Sequence, residues 1–504
     1  MAECESGKSR LGLWITPVIA LALLLFGDLD PERPEVTRMA AVAVLMAGWW
    51  ITEAIPIPVT ALLPVALFPL LGILKGTQTA GLYFNHIIFL FIGGFVFALA
   101  MQRWDLHRRI ALKILLLLGT SPRRLVLGFM TATWFLSMWI SNTAATMMML
   151  PMALAIGGQF RARIAGESCR KFTVALLLGV AYSASIGGLA TLIGTPPNLS
   201  MARILHIVFP GAPELSFATW FAFALPLSVT FLVIAWLMLC RLFLRGDQVV
   251  CAEVGLIERE HREQGPMSFE QRSVLVLFTL LVFGWMFRAD IALSGFVIPG
   301  WSNLFPAAAF IDDGTIAVAI ALLLFLIPSR AQPGARLMDW ETAVQLKWGI
   351  VLLFGGGFAL ASGFKESGLS EWMGTQLAGL HDLPPLLIVM GVCLLITFAT
   401  ELTSNTATIE MALPILGSLA VAIEADPLLL MVPATLSASC AFMLPVATPP
   451  NAIVFGSGEV RMSDMMRGGI LLNLIGVVLI TAAVYLLGTS VLGISLDGLP
   501  AWAQ

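Results

Sequence analysis

Three polar residues, Ser141-Asn142-Thr143, stand in the middle of a run that carries no charged side chain between Arg124 and Arg161. The same three return as Ser404-Asn405-Thr406, and each copy is followed by alanine. Hydroxyls of Ser141, Thr143, Ser404 and Thr406 can donate to a carboxylate. Asn142 and Asn405 both donate and accept, so each could touch an anion and a cation together. A second shared element, Thr195-Pro196-Pro197-Asn198 and Thr448-Pro449-Pro450-Asn451, lies beyond each triplet. None of the four stretches contains Lys or Arg. A fixed cation would hold a dianion tightly and slow its release, whereas mobile cations can leave with it.

The triplets are 263 positions apart, and at that offset Gly93-Gly94-Phe95 falls on Gly356-Gly357-Phe358, Leu106 on Leu369 and Pro151 on Pro414. Several matches at one offset indicate an internal duplication. The TPPN elements are 253 positions apart, so about one short loop was lost between the copies. Each triplet and each TPPN element must break a helix. Proline cannot donate the helical hydrogen bond and suits the first turn of a new helix. Bare backbone at membrane depth is tolerated only where protein or a watery cavity meets it. Four breaks give eight half-helix ends. The N-terminal ends offer N–H groups and partial positive charge to an anion, the C-terminal ends carbonyl oxygens to a hard cation such as sodium.

Composition sets the medium. Of 504 residues 58% are hydrophobic and 12% charged, and mean hydropathy is +0.91. Soluble domains carry about a quarter charged residues. Repeated uncharged stretches of about 20 residues are long enough to cross a bilayer. The net charge of −3 points to no partner, and no basic run suggests nucleic acid. Cys4, Cys169, Cys240, Cys251, Cys393 and Cys440 show neither CxxC nor zinc-type spacing and read as buried or cytoplasmic thiols. Lys8 and Arg10 precede an apolar run without a small-residue cleavage site, which reads as a retained first helix.

In chain order the pattern predicts spans near 12–27, 37–54, 57–74 and 86–102, then a surface helix over 103–118 with Arg and Lys on one side. The first triplet segment, 123–157, has basic residues at both flanks. The bias of Lys and Arg toward cytoplasmic loops puts both ends on one face, which makes it a re-entrant hairpin. An interrupted span at 172–209, a span at 217–244, a charged linker at 245–272 and spans at 270–287, 312–328 and 341–361 follow. The linker reads as a solvated face. A second surface helix is expected at 364–380, the second hairpin at 384–423, the second interrupted span at 428–460 and the last span at 468–492. Five crossings separate the hairpins, so the second enters from the opposite side. The expected fold is an all-α polytopic inverted repeat of about eleven transmembrane helices, two re-entrant hairpins and two interrupted helices, N-terminus cytoplasmic and C-terminus external. Expected domains are N-terminal helices 1–84, a first repeat 85–216, a middle section 217–347, a second repeat 348–467 and a C-terminal helix 468–504. Gly93-Gly94 and Gly355-Gly356-Gly357 read as close helix packing. Glu401 and Glu410, in the second hairpin, divide evenly between function and a partnered structural role. The five histidines take no role.

At these residues the sequence resembles the divalent-anion:sodium symporter family, along nearly the whole chain. Both triplets match, as does Thr52-Glu53-Ala54-Ile55-Pro56-Ile57. So does a C-terminal signature met by Ala438-Ser439, Phe442, Pro445-Val446-Ala447, Asn451, Ile453 and Val454. The resemblance implies a homodimer whose transport domain moves as an elevator against a scaffold. It implies one sodium at Ser137, Ser141, Asn142, Gly194 and Asn198, and a second at Thr400, Thr403, Asn405 and Ala447. Substrate carboxylates would meet Ser141, Asn142, Thr143, Ser404, Asn405, Thr406, Thr448 and Pro449.

The expected function is sodium-coupled symport of a C4 dicarboxylate across the plasma (inner) membrane, with sodium ions co-transported. A sodium-independent dicarboxylate exchanger, or a sulfate or citrate carrier, is the alternative within this class. An intramembrane enzyme is disfavoured because HExxH, GxSxG and any His-rich cluster are missing from the sequence. A channel would favour a continuous pore over four broken helices.

Overall fold

The computed structural model describes residues 7–119, 121–163, 167–244, 255–293, 296–377, 379 and 382–504. Helix α1 (Gly7–Phe26) packs along α2 (Pro34–Thr52). The expected span 57–74 is split into α3 (Ile57–Thr60) and α4 (Leu63–Leu71), before α5 (Gly76–Leu82). Pro58 and Pro64 explain the split, since neither can donate to the preceding turn. Helix α6 (His86–Arg103) starts where Asn85 accepts from the N–H groups of Ile87 and Ile88, at 3.0 and 3.3 Å. The surface helix is α7 (Leu106–Leu118).

The first hairpin is α8 (Pro122–Ser137) and α9 (Asn142–Arg163); the first interrupted span is α10 (Glu167–Leu189) and α11 (Pro196–Val208). Helix α12 (Phe217–Phe243) leads to the linker, whose described part forms α13 (Gly255–Glu263). It does not lie free in solvent. Arg108 of α7 pairs with Glu260 at 3.1 Å, and buried Arg109 donates to the carbonyls of Gln264 and Gly265. Helix α14 (Phe269–Met286) is followed by an unexpected two-stranded antiparallel ribbon, β1 (Ile291–Leu293) and β2 (Phe296–Ile298).

Beyond α15 (Asp313–Leu326) comes a single turn, α16 (Trp340–Ala343), capped by Asp339, which accepts from the Thr342 N–H at 2.8 Å. The span expected at 341–361 therefore starts late, as α17 (Trp348–Glu366). Its surface helix is α18 (Leu369–Leu377), shorter than expected; residues 378, 380 and 381 lie outside the described residues. The second hairpin is α19 (Pro385–Thr400) and α20 (Asn405–Ala422), the second interrupted span α21 (Pro427–Ala438) and α22 (Pro449–Phe455). Helix α23 (Met462–Ala483) continues as a π-helical stretch, Val484–Leu492.

The duplication extends to the backbone. Asp105 joins α6 to α7 at φ 54°, and Gly368, its counterpart 263 positions on, joins α17 to α18 at φ 78°. The halves cross over each other: α11 of the first packs on α20 of the second, and α22 of the second packs on α9 of the first. Helix α10 is buried throughout residues 172–189. Eight described helices are long and apolar enough to cross a membrane, two of them the hairpin arms α9 and α20. Trp14, Phe26, Leu70, Leu117, Leu395 and Leu486 point outward, as a lipid-facing surface requires. The glycine runs pack closely: a Cβ on Gly93 would meet Ala317 Cβ at 2.6 Å, and one on Gly356 the Ala61 carbonyl at 2.6 Å. The described cysteines, 169, 240, 393 and 440, are buried, while Cys4 and Cys251 lie outside the described residues.

Candidate functional site

The four helix breaks fall where the sequence predicts them, after Ser137, Leu189, Thr400 and Ala438. At the first tip, Ser137 Oγ is 2.6 Å from Asn142 Oδ1 and 2.7 Å from the Ala184 carbonyl. A hydroxyl has one proton, so it donates to only one of these acceptors at a time. Gly188 closes on the same point, since a Cβ there would lie 2.8 Å from Asn142 Oδ1 and 3.2 Å from the Gly194 carbonyl. Ser137, Asn142, Gly188 and Gly194 thus form one nest of oxygen atoms. Ser141 caps the following helix instead, accepting from the Ala144 N–H at 3.3 Å.

Asn198 organises the loop behind this nest. Its Nδ2 donates to the carbonyls of Thr191 and Gly188, seven and ten residues back, at 2.7 and 3.1 Å. Asn451 does the same in the second half, to Leu444 and Ala441, at 3.0 and 3.2 Å. Both asparagines are fully buried, and both Oδ1 atoms have no partner among the described residues. Buried acceptors in this condition cost about 1–3 kcal/mol each, which a ligand cation could recover.

At the second tip Thr403 Oγ1 lies 2.7 Å from Thr408 Oγ1, and Thr400 donates to the Thr397 carbonyl at 3.1 Å. Asn405 Oδ1 is buried without a partner among the described residues. Thr448 caps α22, accepting from the Asn451 N–H at 3.4 Å, and Pro449 begins that helix; Ala447 ends the loop before it. Among the described residues, the side chains of Thr143, Ser404, Asn405 and Thr406 make no hydrogen bond at all. The two sites touch where Thr195 Oγ1 meets Ser439 Oγ at 3.4 Å. One polar region with two mirrored lobes results.

A family model described as the sodium:sulfate symporter transmembrane region matches residues 9–494. The chain belongs to the sodium:sulfate symporter family. It is a multi-pass membrane transport protein, not an enzyme. Its relatives include the sodium-dependent dicarboxylate transporter SdcS of Staphylococcus saprophyticus, 44% identical over 490 residues, covering 96% of this chain and 92% of that one. SdcS of Staphylococcus aureus (strain USA300) is 43% identical over 500 residues, covering 98% and 94%. Two solved structures share the fold. The YdaH transporter of Alcanivorax borkumensis superposes with a TM-score of 0.55 at 15% identity, covering 83% of this chain and 87% of that one. MtrF of Neisseria gonorrhoeae gives 0.57 at 10% identity, covering 96% and 100%.

Two carboxyl groups set this symporter chain's second half apart. Glu401, 1% exposed, accepts from the N–H groups of Met443 and Leu444 at 2.8 and 2.9 Å and from Asn473 Nδ2 at 2.7 Å. It braces the second loop, a partnered structural role, and nothing in the sequence marks those partners. Glu410 is fully buried away from the tips, between α11, α17 and α20. It accepts a short hydrogen bond from Ser200, and its Oε2 fills the space where a Cβ on Gly357 would sit. That explains the third glycine of the run.

Proposed function

We propose that the protein carries out sodium-coupled symport of a C4 dicarboxylate (succinate, malate or fumarate) across the plasma (inner) membrane. The observation that carries this reading is the set of tip side chains left without protein partners, Thr143, Ser404, Asn405 and Thr406, with no cation fixed among them. The relatives' naming as sodium-dependent dicarboxylate transporters supports the substrate class and the ion.

In this mechanism one sodium binds in the nest of Ser137, Ser141, Asn142, Gly194 and Asn198. A second binds at Thr400, Thr403, Asn405 and Ala447. The carboxylates then meet the hydroxyls and amides of both triplets, with Thr448 and Pro449 at the edge. The unpartnered Asn405 Oδ1 and Asn198 Oδ1 are oxygen donors of the type a hard cation takes. Two sodium ions neutralise a dianion that, moving alone into a negative cell, would be opposed by about 2.3 kcal/mol per charge per 100 mV. The hairpins and interrupted helices move together as an elevator within a homodimer, the N-terminus cytoplasmic and the C-terminus external.

The test is uptake of labelled succinate into proteoliposomes under an inward sodium gradient, with choline as the replacement cation. Sodium-driven uptake that unlabelled malate and fumarate inhibit, and sulfate and citrate do not, is the expected result. Sulfate inhibition without succinate uptake would move the assignment to the sulfate branch that the family's description names.

A further inference from the structure

The far end of α11 borders a cavity of about 230 Å³ that the mirrored tips do not use. It lies where α11 meets the first turns of α6 and α15. At about 30 Å³ per water it has room for roughly seven waters, or one small acid. Its walls are charged, and the acids in them are already engaged. Arg288 pairs with Asp313 at 2.7 Å and with Glu214 at 2.5 Å. Asp312 caps α15, accepting from the Thr315 N–H at 2.6 Å and its hydroxyl at 2.9 Å.

The basic side is different. Arg203, His206 and His86 line the same space. Arg203 makes no hydrogen bond or ion pair among the described residues, and its Nε is buried without a partner. His206 has Nδ1 3.1 Å from the Ala202 carbonyl. A carbonyl can only accept, so Nδ1 carries the proton, and Nε2 of the neutral ring faces the cavity as an acceptor, which leaves Arg203 as the donor to an anion. Arg203 and His206 are three residues apart on α11, hence on one helix face. A guanidinium whose buried donors have no partner beside a cavity is placed to take an acceptor there.

We propose that this cavity is a second anion site, an antechamber in which Arg203 takes one carboxylate of the transported acid. Helix α11 then connects the antechamber to Thr195, about 12 Å away at 1.5 Å per residue. Unlike the tips, this site has a fixed cation, so it captures the anion without sodium. Glu214 and Asp313 are held by Arg288 and Asp312 by the start of α15, so capture rests on the open donors of Arg203 alone. The assignment of a carboxylate rests on the transport reading above, but the binding test does not require transport.

The decisive experiment is calorimetry on purified protein, with succinate as the probe. An Asn142→Ala/Asn405→Ala double variant, its tips disabled, is expected to keep one sodium-independent binding event. Adding Arg203→Gln is expected to abolish it. No residual binding in the double variant, or residual binding indifferent to Arg203→Gln, would overturn the proposal. Should the double variant not fold, the single variants decide. Arg203→Gln in the otherwise native chain is expected to raise the uptake KM about tenfold with Vmax held within about twofold, Arg203→Lys falling between. A lowered Vmax at unchanged KM would refute the antechamber. Native protein that binds succinate without sodium yet never takes it up would instead refute the symport reading alone.

Discussion

Position 138 of the first half corresponds to 401 of the second, and 191 corresponds to 444, and in both halves the two positions touch. In the first, the Thr191 hydroxyl donates to the Met138 carbonyl at 2.6 Å. In the second, the Leu444 N–H donates to the Glu401 carboxylate at 2.9 Å. The contact between hairpin and loop is the same, but its chemistry is not. Duplication has preserved which positions meet, while one half came to rely on a neutral hydroxyl and the other on a buried carboxylate with three donors around it. The proposed cation lobes differ similarly. Ser137 and Asn142 lie within hydrogen-bond distance of each other in the first, whereas Asn405 keeps an unpartnered oxygen in the second.

The largest expected effect is on the Glu401 brace. Glu401→Gln places an amide N–H against donors that need an acceptor, and each charge-assisted hydrogen bond is worth about 1.5–3 kcal/mol. We expect a stability loss of about 3 kcal/mol or more and no uptake. Thr191→Val, at the matching contact, is expected to cost about 1 kcal/mol, the value of one neutral hydrogen bond. Thermal unfolding of both variants in detergent measures the difference; equal losses would erase the distinction between the halves.

Next comes the nest itself. Gly188 and Ala441 correspond, and only the second half already carries a Cβ there. Gly188→Ala should push Asn142 Oδ1 and the Gly194 carbonyl apart, because the added carbon would lie 2.8 and 3.2 Å from them. Expected is a rise of about tenfold or more in the sodium concentration for half-maximal uptake, equivalent to about 1.4 kcal/mol. Ala441→Gly should leave that value nearly unchanged and cost at most about 1 kcal/mol of stability. Sodium titrations of the two variants sharpen the comparison, and a larger effect at Ala441 would reverse it.

The smallest effect is at the joints of the surface helices. Asp105 sits at positive φ at a strain of about 1–2 kcal/mol, which Asp is better suited than most residues to reduce, whereas Gly368 bears none. Asp105→Gly should raise the unfolding midpoint slightly and Gly368→Asp should lower it. The second substitution also brings a side chain against Arg33, whose Nη1 would lie 2.6 Å from the new Cβ.

The helix breaks were legible because each is written locally, in prolines or in polar residues among apolar ones. Internal repetition made Ser141 and Ser404 more than isolated hydroxyls. Other features depend on distant partners. Nothing near Glu401 announces Asn473, 72 residues away, and Asn198 reads as a ligand before it reads as a loop organiser. The strands at 291–293 and 296–298 are too short to show an alternating pattern in the sequence. The splitting of 57–74 was within reach, since Pro58, Pro64 and Pro69 are plain in the sequence. Arg203 and His206 carry a signal too, polar groups three apart in an otherwise apolar stretch, weaker than the TPPN motif that precedes them.

Sodium activation of succinate uptake at clamped membrane potential tests most directly whether two mirrored lobes each hold a cation. The account predicts a Hill slope above one for the native protein, falling toward one in both Ser137→Ala and Thr400→Ala. Full uptake in sodium-free medium, rising when vesicles are preloaded with succinate, would contradict it and establish an exchanger.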